Sequence, residues 1–403
     1  MRIMKFVIAL TFLSLTPPRG NCQLIDVSRI SDVALSEAEV DNILNQGNSS
    51  IQIDGSPGLS CLLTLHRDNR VALDPYGVIA GPDDLAGACA QPGYVKVVDS
   101  ISWCGNGGPN IIGCAPTPGN CIVVVRYDPN LEWLLWMHEY SHSKGLGHVT
   151  TGTALMNPTI DATHNSLPSS DCALVQNTAS SGSSGPPQAS TPVDAIPVSE
   201  FVKKTFIEGT PYAQAQRYSG RDVDQLIKML NDVRLSAYRG NVAATLGMTG
   251  HKRASSALIT LVSSGLDLTK PEDRRVCIAA LISLGYVSNV KRDRESLSFL
   301  IHGTSNSFWE KQLLPNGAAS TPITSDVVET TVSSFIAAAM MGLALSGTPK
   351  AGEVLKSLQE RPGSAAFDLF IQRTAAQALI EHKRVNSDGL LRYYGAKKGN
   401  YER

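Results

Sequence analysis

Three histidines and one glutamate lie close together in the chain with the spacing H-E-x-x-H-x-x-G-x-x-H. On a helix, His138 and His142 leave the same face because they are four residues apart, so both imidazoles can reach one metal ion. Glu139 lies about 100° further around the axis, where it can act on a metal-bound water without being a ligand. Gly145 lets the chain turn back sharply, which brings in His148 as the third nitrogen ligand. Three protein ligands leave one tetrahedral position open, as in catalytic rather than structural Zn²⁺ sites.

The elements that would position these residues are predicted from apolar patterning. The motif lies on a helix expected over residues 131–144, whose Leu134, Leu135 and Met137 are expected to face a core. A capped helix is expected at 36–45 because a serine followed by early acids precedes an apolar stripe. Short apolar runs bounded by Gly, Pro and Asn predict strands at 51–53, 61–65, 94–98 and 121–126. This order of elements predicts an α+β fold in which the metal-bearing helix packs against a mixed sheet.

Composition and the N-terminus restrict the class of protein. The chain has 403 residues, of which 42% are hydrophobic and 18% charged, with a net charge of −1. This balance gives no argument for nucleic acid or an anionic membrane as a partner. Arg2 and Lys5 precede the apolar run 6–15, which predicts a signal peptide over residues 1–20. No later segment looks long and apolar enough to span a bilayer, so we expect a soluble, secreted or periplasmic protein without stable membrane insertion.

The cysteines are concentrated in the first part of the chain. Seven of the eight precede residue 173, and Cys277 stands alone beyond it. In an exported protein this pattern predicts a first domain crosslinked by disulfides. A second metal site is the competing interpretation, although the chain has no C-x-x-C pair. Seven is an odd number, so one cysteine, with Cys22 as the candidate, is free, removed or paired elsewhere, and the connectivity stays open.

The chain divides into a domain at 21–176, a Ser/Gly/Pro-rich linker at 177–198 and a helical region at 199–403. The helical region contains similar segments rich in small residues, each ending near a glycine or a polar residue: 241–250, 276–285, 338–347 and 374–382. The glycines are expected to end the first helix of each pair. This repetition predicts an α-solenoid that resembles HEAT-like repeats, with an insertion around 302–325. An irregular helical bundle is the alternative.

The zinc motif, together with the sequence ALMNP at residues 154–158, resembles the metzincin clan of zinc endopeptidases, with the matrixins as nearest relatives. The resemblance covers roughly residues 30–170. It implies that Met156 forms a methionine turn beneath the metal. It also implies that residues 94–101 contain an edge strand that aligns an extended substrate. The pocket beyond the scissile bond would be lined by three consecutive residues, Pro158, Thr159 and Ile160.

The resemblance implies an exported zinc endopeptidase in which Glu139 is the general base and His138, His142 and His148 hold Zn²⁺. Its partners would be a protein or peptide substrate and, through the helical repeats, a recruited substrate or protein partner. The chain lacks the P-R-C-G latency segment of the matrixins. The alternative function is a protein-binding repeat module attached to a vestigial zinc domain.

Overall fold

The structure is a computed structural model that describes residues 23–30, 33–56, 58–105, 108–149, 152–176, 196–268, 270–313 and 325–397. The predicted signal peptide, Cys22 and most of the predicted linker lie outside these residues.

A mixed sheet of five strands forms the centre of the first half of the chain. The strands of the whole structure are β1 (Gln23–Ile25), β2 (Val27–Arg29), β3 (Gln52–Ile53), β4 (Leu65–Arg67), β5 (Ala72–Leu73), β6 (Val78–Ile79), β7 (Val95–Val98), β8 (Ser100–Ile101), β9 (Gly113–Cys114), β10 (Ile122–Val125), β11 (Thr159–Ile160), β12 (Ser166–Leu167) and β13 (Thr205–Phe206). The central sheet has the order β5-β2-β7-β10-β9. Its first four strands are parallel, and β9 pairs antiparallel with β10 at one edge. The predicted mixed sheet is therefore confirmed.

The prediction of an edge strand within residues 94–101 is wrong for β7, the longer of the two strands in that segment. Strand β7 lies inside the sheet, between β2 and β10, and β8 belongs to a separate pair with β6. All four residues of β7 are buried and the strand pairs in parallel on both sides, which agrees with the burial of parallel sheets on both faces. The antiparallel edge next to the helix with His138 and His142 is β9 instead, which is too short for its pattern to show in the sequence.

Four helices accompany this sheet: α1 (Glu37–Ser50), α2 (Pro82–Ala90), α3 (Glu132–Ser143) and α4 (Ser169–Gln176). Helix α1 starts at the predicted capping serine, because the Ser36 hydroxyl accepts from the Glu39 amide while the Glu39 carboxylate accepts from the Ser36 amide. The hydrogen bond from the Ser36 amide has the largest effect on the pKa of Glu39, and the hydrogen bond from Arg126 the next largest. Together they lower this pKa to about 2. Helix α3 carries the metal motif, and every one of its residues is buried.

Three disulfides crosslink the first half, as the clustering of cysteines predicted. They join Cys61 to Cys172, Cys89 to Cys121 and Cys104 to Cys114. Cys277 is buried and outside these bridges. Disulfides of this number indicate that the protein matures in an oxidising, extracellular environment.

The second half is helical, with the helices α5 (Val198–Phe201), α6 (Tyr212–Ala215), α7 (Arg221–Leu230), α8 (Arg239–Met248), α9 (Lys252–Ser264), α10 (Pro271–Lys291), α11 (Arg294–His302), α12 (Asn306–Leu313), α13 (Ser325–Ser346), α14 (Pro349–Gln359) and α15 (Ala366–Lys397) and one 3₁₀ helix (Val233–Tyr238). Helix pairs recur as α8–α9, α10–α11 and α13–α14, and the first three small-residue segments lie mainly in the first helix of each pair. Helix α12 lies within the predicted insertion.

Glycines allow the first helices of successive pairs to approach closely. A Cβ added to Gly247 would lie 2.4 Å from the Ser283 Cβ, and one added to Gly285 would lie 2.3 Å from the Gly342 carbonyl oxygen. The expectation that the glycines end these helices holds at Gly250 and Gly347, which follow α8 and α13 with positive φ. It is wrong for Gly285, which lies inside α10, because its missing side chain is used for packing.

One helix contradicts the expectation that no later segment is apolar enough to cross a membrane. Residues Val328–Ser346 of α13 meet that criterion by length and composition. However, 78% of this stretch is buried inside the protein, as in the central helix of a soluble domain. Its apolar character therefore follows from packing against neighbouring helices on several sides.

The two halves share one hydrophobic core across the predicted boundary. Polar contacts reinforce this packing: the Ser100 hydroxyl donates to the Ser334 hydroxyl (2.9 Å), and Arg274 forms an ion pair with Asp99 (3.5 Å). The sequence predicted a linker between the halves but gave no sign that they pack together.

Candidate metal centre

Helix α3 and the turn after it bring the three predicted histidines together. The Nε2 atom of His142 lies 3.0 Å from that of His138 and 3.1 Å from that of His148, and the third separation is 3.3 Å. Ligand atoms around a tetrahedral metal with bonds of about 2.0–2.1 Å lie ~3.3 Å apart, so the three nitrogens have the spacing of a coordination triangle. Within the described part of the chain, they form a group that could hold a metal ion.

Backbone carbonyls hold two of the rings in the orientation that a metal requires. The Nδ1 atom of His138 lies 2.8 Å from the Leu155 carbonyl oxygen, and that of His142 lies 2.7 Å from the Leu146 carbonyl oxygen. Each Nδ1 must therefore carry the proton, which leaves an unprotonated Nε2 facing the centre of the triangle. Burial lowers the pKa of His138 well below its usual value and that of His142 to about 4, and the neighbouring imidazoles add to this effect. The rings are consequently neutral and able to bind metal at physiological pH.

The chain reverses direction after α3 at the predicted glycine. Gly145 has a φ of +96°, which favours glycine, and its amide donates to the His142 carbonyl. The turn carries His148 back to the other two histidines. Met156 lies beyond this turn, where it is buried and its carbonyl accepts from the Val149 amide (2.9 Å). The predicted methionine turn therefore adjoins the segment that supports the metal ligands.

Glu139 is fully buried beside the edge strand β9. Among the described residues, neither of its carboxylate oxygens has a hydrogen-bond partner. A Cβ added to Gly113 would lie 2.3 Å from the Glu139 Oε1 atom, so the backbone of β9 passes directly alongside the carboxylate. Burial raises the pKa of Glu139 well above its usual value, and the negative charge of Glu208 raises it further.

A bound metal ion would satisfy these groups. The Nε2 atoms of His138 and His142, which the Nδ1 hydrogen bonds leave without a proton, lie 3.0 Å apart and repel one another through their lone pairs unless a cation or a proton lies between them. A buried carboxylate without hydrogen bonds is costly unless a cation or a bound water compensates it. The donor set thus fits a metal that prefers imidazole nitrogen.

The predicted pocket residues are paired with another part of the same chain. Strand β11, which contains Thr159 and Ile160, pairs antiparallel with β13, and the Pro158 carbonyl accepts from the Ile207 amide (3.0 Å). The Ile112 and Gly113 amides in turn donate to the Ile207 carbonyl, at 2.9 and 3.3 Å. Residue 207 therefore bridges the edge-strand side and the β11 side of the metal centre.

The sequence analysis missed Glu208, which follows this bridge. Its Oε1 atom lies 4.0 Å from the His142 Nε2 and 3.9 Å from the His148 Nε2. Glu208 comes from the helical half of the chain, and no spacing rule connects it with the motif, so the fold alone brings it to the site.

Comparisons with known proteins do not place the chain in a family. No protein-family model matches it, and searches of curated proteins and of solved structures find no match.

Proposed function

We propose that the protein is an exported zinc-dependent endopeptidase of the metzincin type. The observation that carries this proposal is the convergence of three imidazole nitrogens, two of them on rings held neutral, next to a buried carboxylate that has no hydrogen-bond partner among the described residues, beside an edge strand. His138, His142 and His148 would hold Zn²⁺, which supplies Lewis acidity toward the scissile carbonyl and lowers the pKa of a coordinated water. The mixed sheet, the position of Met156 and the three disulfides agree with a metzincin-like domain outside the cytoplasm.

Glu139 serves as the proton carrier in this reaction. Its raised pKa makes the carboxylate a stronger base than an exposed glutamate, which suits the removal of a proton from water at neutral pH. The protonated carboxyl then donates to the leaving amine. Because Glu139 has no competing hydrogen bond among the described residues, its oxygens stay available for this exchange.

Two backbone edges would hold an extended substrate across the centre. Ile112 and Gly113 have amide donors on one side, and Pro158 has a carbonyl acceptor on the other; in the resting protein all three pair with Ile207, which a substrate would have to replace. Extended peptides gain affinity by adding to such edges through main-chain hydrogen bonds. Beyond Pro158, the side chains of Thr159 and Ile160 would contact the substrate residue after the scissile bond.

The helical half would recruit a protein substrate or partner. Its recurring helix pairs agree with a HEAT-like arrangement, and its shared core with the first half would hold a bound partner at a fixed position relative to the metal. Such tethering raises the effective concentration of substrate at the active site.

The test compares the wild-type protein with Glu139→Gln, both loaded with Zn²⁺, on denatured casein and on a peptide library. Chelator-sensitive cleavage by the wild type, and a loss on the order of 10²–10⁴-fold in Glu139→Gln with Zn²⁺ retained, are expected. Equal activity in the two proteins would show that the mechanism is wrong. Absence of cleavage by every form of the protein, together with capture of a protein partner by the full chain, would favour a binding module with a vestigial zinc domain.

A further inference from the structure

The segment 205–210 lies where the proposed substrate should bind. Ile207 uses its carbonyl to accept from Ile112 and Gly113 and its amide to donate to Pro158. These are the backbone groups that an extended substrate would use. The side chain of Ile207 is 1% exposed, so the segment is a packed part of the cleft rather than a loop resting on its surface.

Contacts on the far side of the segment hold it in place. Asn241, at the start of α8, is buried and donates to the carbonyls of Val202 (3.3 Å) and Lys204 (2.5 Å). The Thr210 amide donates to the Pro109 carbonyl (2.9 Å). The chain is therefore anchored both before and after the residues that cross the metal centre.

Close backbone contact fixes the exit of the segment. Gly209 has a φ of +83°, and a Cβ there would lie 2.2 Å from the Gly108 carbonyl oxygen. A Cβ on Gly108 would in turn lie 1.9 Å from the Thr210 carbonyl oxygen. Both chain segments need glycine at this contact, because no side chain fits between them. The contact sets the chain direction directly after Glu208.

The resulting position of Glu208 brings a carboxylate to the metal centre. Its Oε1 atom lies 4.0 and 3.9 Å from two of the three ligand nitrogens, ~0.6 Å more than the separation in a tetrahedral site. A rotation of the Glu208 side chain, which is 31% exposed, would close this gap. Carboxylate oxygen is an established ligand type for zinc.

We infer that the 205–210 segment is an internal inhibitor strand whose Glu208 carboxylate is the fourth protein ligand of the metal. This inference rests on the proposed peptidase function for its regulatory meaning. The strand occupies the substrate cleft, and the carboxylate takes the coordination position that the attacking water requires. The bound segment thus keeps the activity of the resting protein low, and substrate enters only those molecules in which the 205–210 segment has left both backbone edges. Loss of the bond between the carboxylate and the metal raises the fraction of such molecules.

The test uses the full chain with Glu208→Ala, and with Glu208→Gln as a variant of nearly the same shape. Glu200→Gln is the matched control, because Glu200 is an exposed glutamate in the same stretch of chain. Zn²⁺ affinity is measured by competition with a chromogenic chelator. The visible spectrum of the Co²⁺-loaded protein is recorded from about pH 6 to about pH 9, a range that includes the pKa near 7 of a water bound to a catalytic metal.

We expect the Glu208 variants to bind Zn²⁺ about 10–100-fold more weakly than the wild type, while the control is unchanged. The Co²⁺ spectrum of the wild type should not change with pH, because no water occupies the fourth position. The spectrum of Glu208→Ala should titrate near neutrality, because water replaces the carboxylate. Peptide cleavage by Glu208→Ala should exceed that of the wild type at least about tenfold if the fourth position controls activity.

The possible failures are distinguishable. If Glu208→Ala keeps the wild-type Zn²⁺ affinity and Co²⁺ spectrum, Glu208 is not a ligand, whatever the peptidase activity. If the wild type cleaves peptides as fast as Glu208→Ala, the inhibitor strand is wrong and the peptidase function stands. If the metal measurements change as expected but no form cleaves any peptide, the fourth ligand is supported and the peptidase function is refuted. If no form of the protein binds Zn²⁺ or Co²⁺, both proposals are wrong.

Discussion

Replacing Glu139 by glutamine should increase the stability of the metal-free protein while it removes activity. The Glu139 side chain is fully buried, and neither of its oxygens has a hydrogen-bond partner among the described residues. The ionised carboxylate therefore costs free energy in the folded state, and the neutral amide costs less because it carries no net charge.

The size and the pH dependence of the stability gain in Glu139→Gln follow from the burial of the Glu139 carboxylate. Relief of an uncompensated buried group amounts to about 1–3 kcal/mol at pH 7, or a rise of a few degrees in melting temperature. Because burial raises the pKa of Glu139 above 4.5, the folded state holds this proton more tightly than the unfolded state. The free-energy cost of ionising Glu139 is absent below about pH 4.5 and grows as the pH rises. Between about pH 4.5 and pH 7, Glu139→Gln should therefore lose less stability than the wild type.

Glu132 provides a matched control, because its replacement by glutamine should change the stability in the opposite direction. It is a second buried glutamate on α3, but one of its oxygens accepts from the Arg126 Nε at 2.9 Å. Burial raises the pKa of Glu132 as well, but the Arg126 charge and hydrogen bond oppose that shift. Glu132→Gln removes this compensation and leaves the arginine with less neutralisation, so a loss of about 1–2 kcal/mol is expected.

Both variants are compared with the wild type by thermal and urea unfolding in the presence of chelator, at about pH 4.5 and pH 7. Zn²⁺-loaded samples serve as the second condition, where the cation should compensate Glu139 and reduce the difference. A metal-free Glu139→Gln protein that is less stable than the wild type at pH 7 would refute the reasoning. So would equal shifts for the two variants, because the argument depends on one glutamate having a partner and the other having none.

Three further results are expected. Gly113→Ala should lower peptide cleavage by about 10²-fold with metal affinity retained, because the added methyl displaces the general-base carboxylate. Gly147→Ala is the control and should have no effect, because a Cβ there meets no atom within 4 Å. Equal activities of the two variants would contradict this placement of Glu139. Glu39→Gln should reduce stability by less than about 1 kcal/mol at pH 7. Since the folded pKa of Glu39 is about 2, its contribution exists above about pH 4.5 and is lost as pH falls toward 2, so acid unfolding curves of variant and wild type should converge there. Replacing Cys61 and Cys172 by serine opens a loop spanning 111 residues and should lower the free energy of unfolding by about 4–5 kcal/mol in urea titrations.

The elements that the sequence predicted well have local causes. The capping box at Ser36 and the buried face of α3 depend on neighbouring residues, and the structure contains both. The strands at 94–98 and 121–126 were also recognisable, because buried parallel strands are continuous apolar runs. Strands β1 and β2 were missed, although β2 lies inside the central sheet, because three-residue strands carry too little pattern.

The sequence alone determined the triangle of His138, His142 and His148, which could hold a metal ion, together with Glu139, because helical periodicity and one turn fix all four positions. The tertiary structure decided what surrounds them. It made β9 rather than β7 the edge strand, and it brought Glu208 to the histidines from the helical half. Strand neighbours and contacts between distant segments depend on how whole faces pack, and no spacing along the chain encodes that packing.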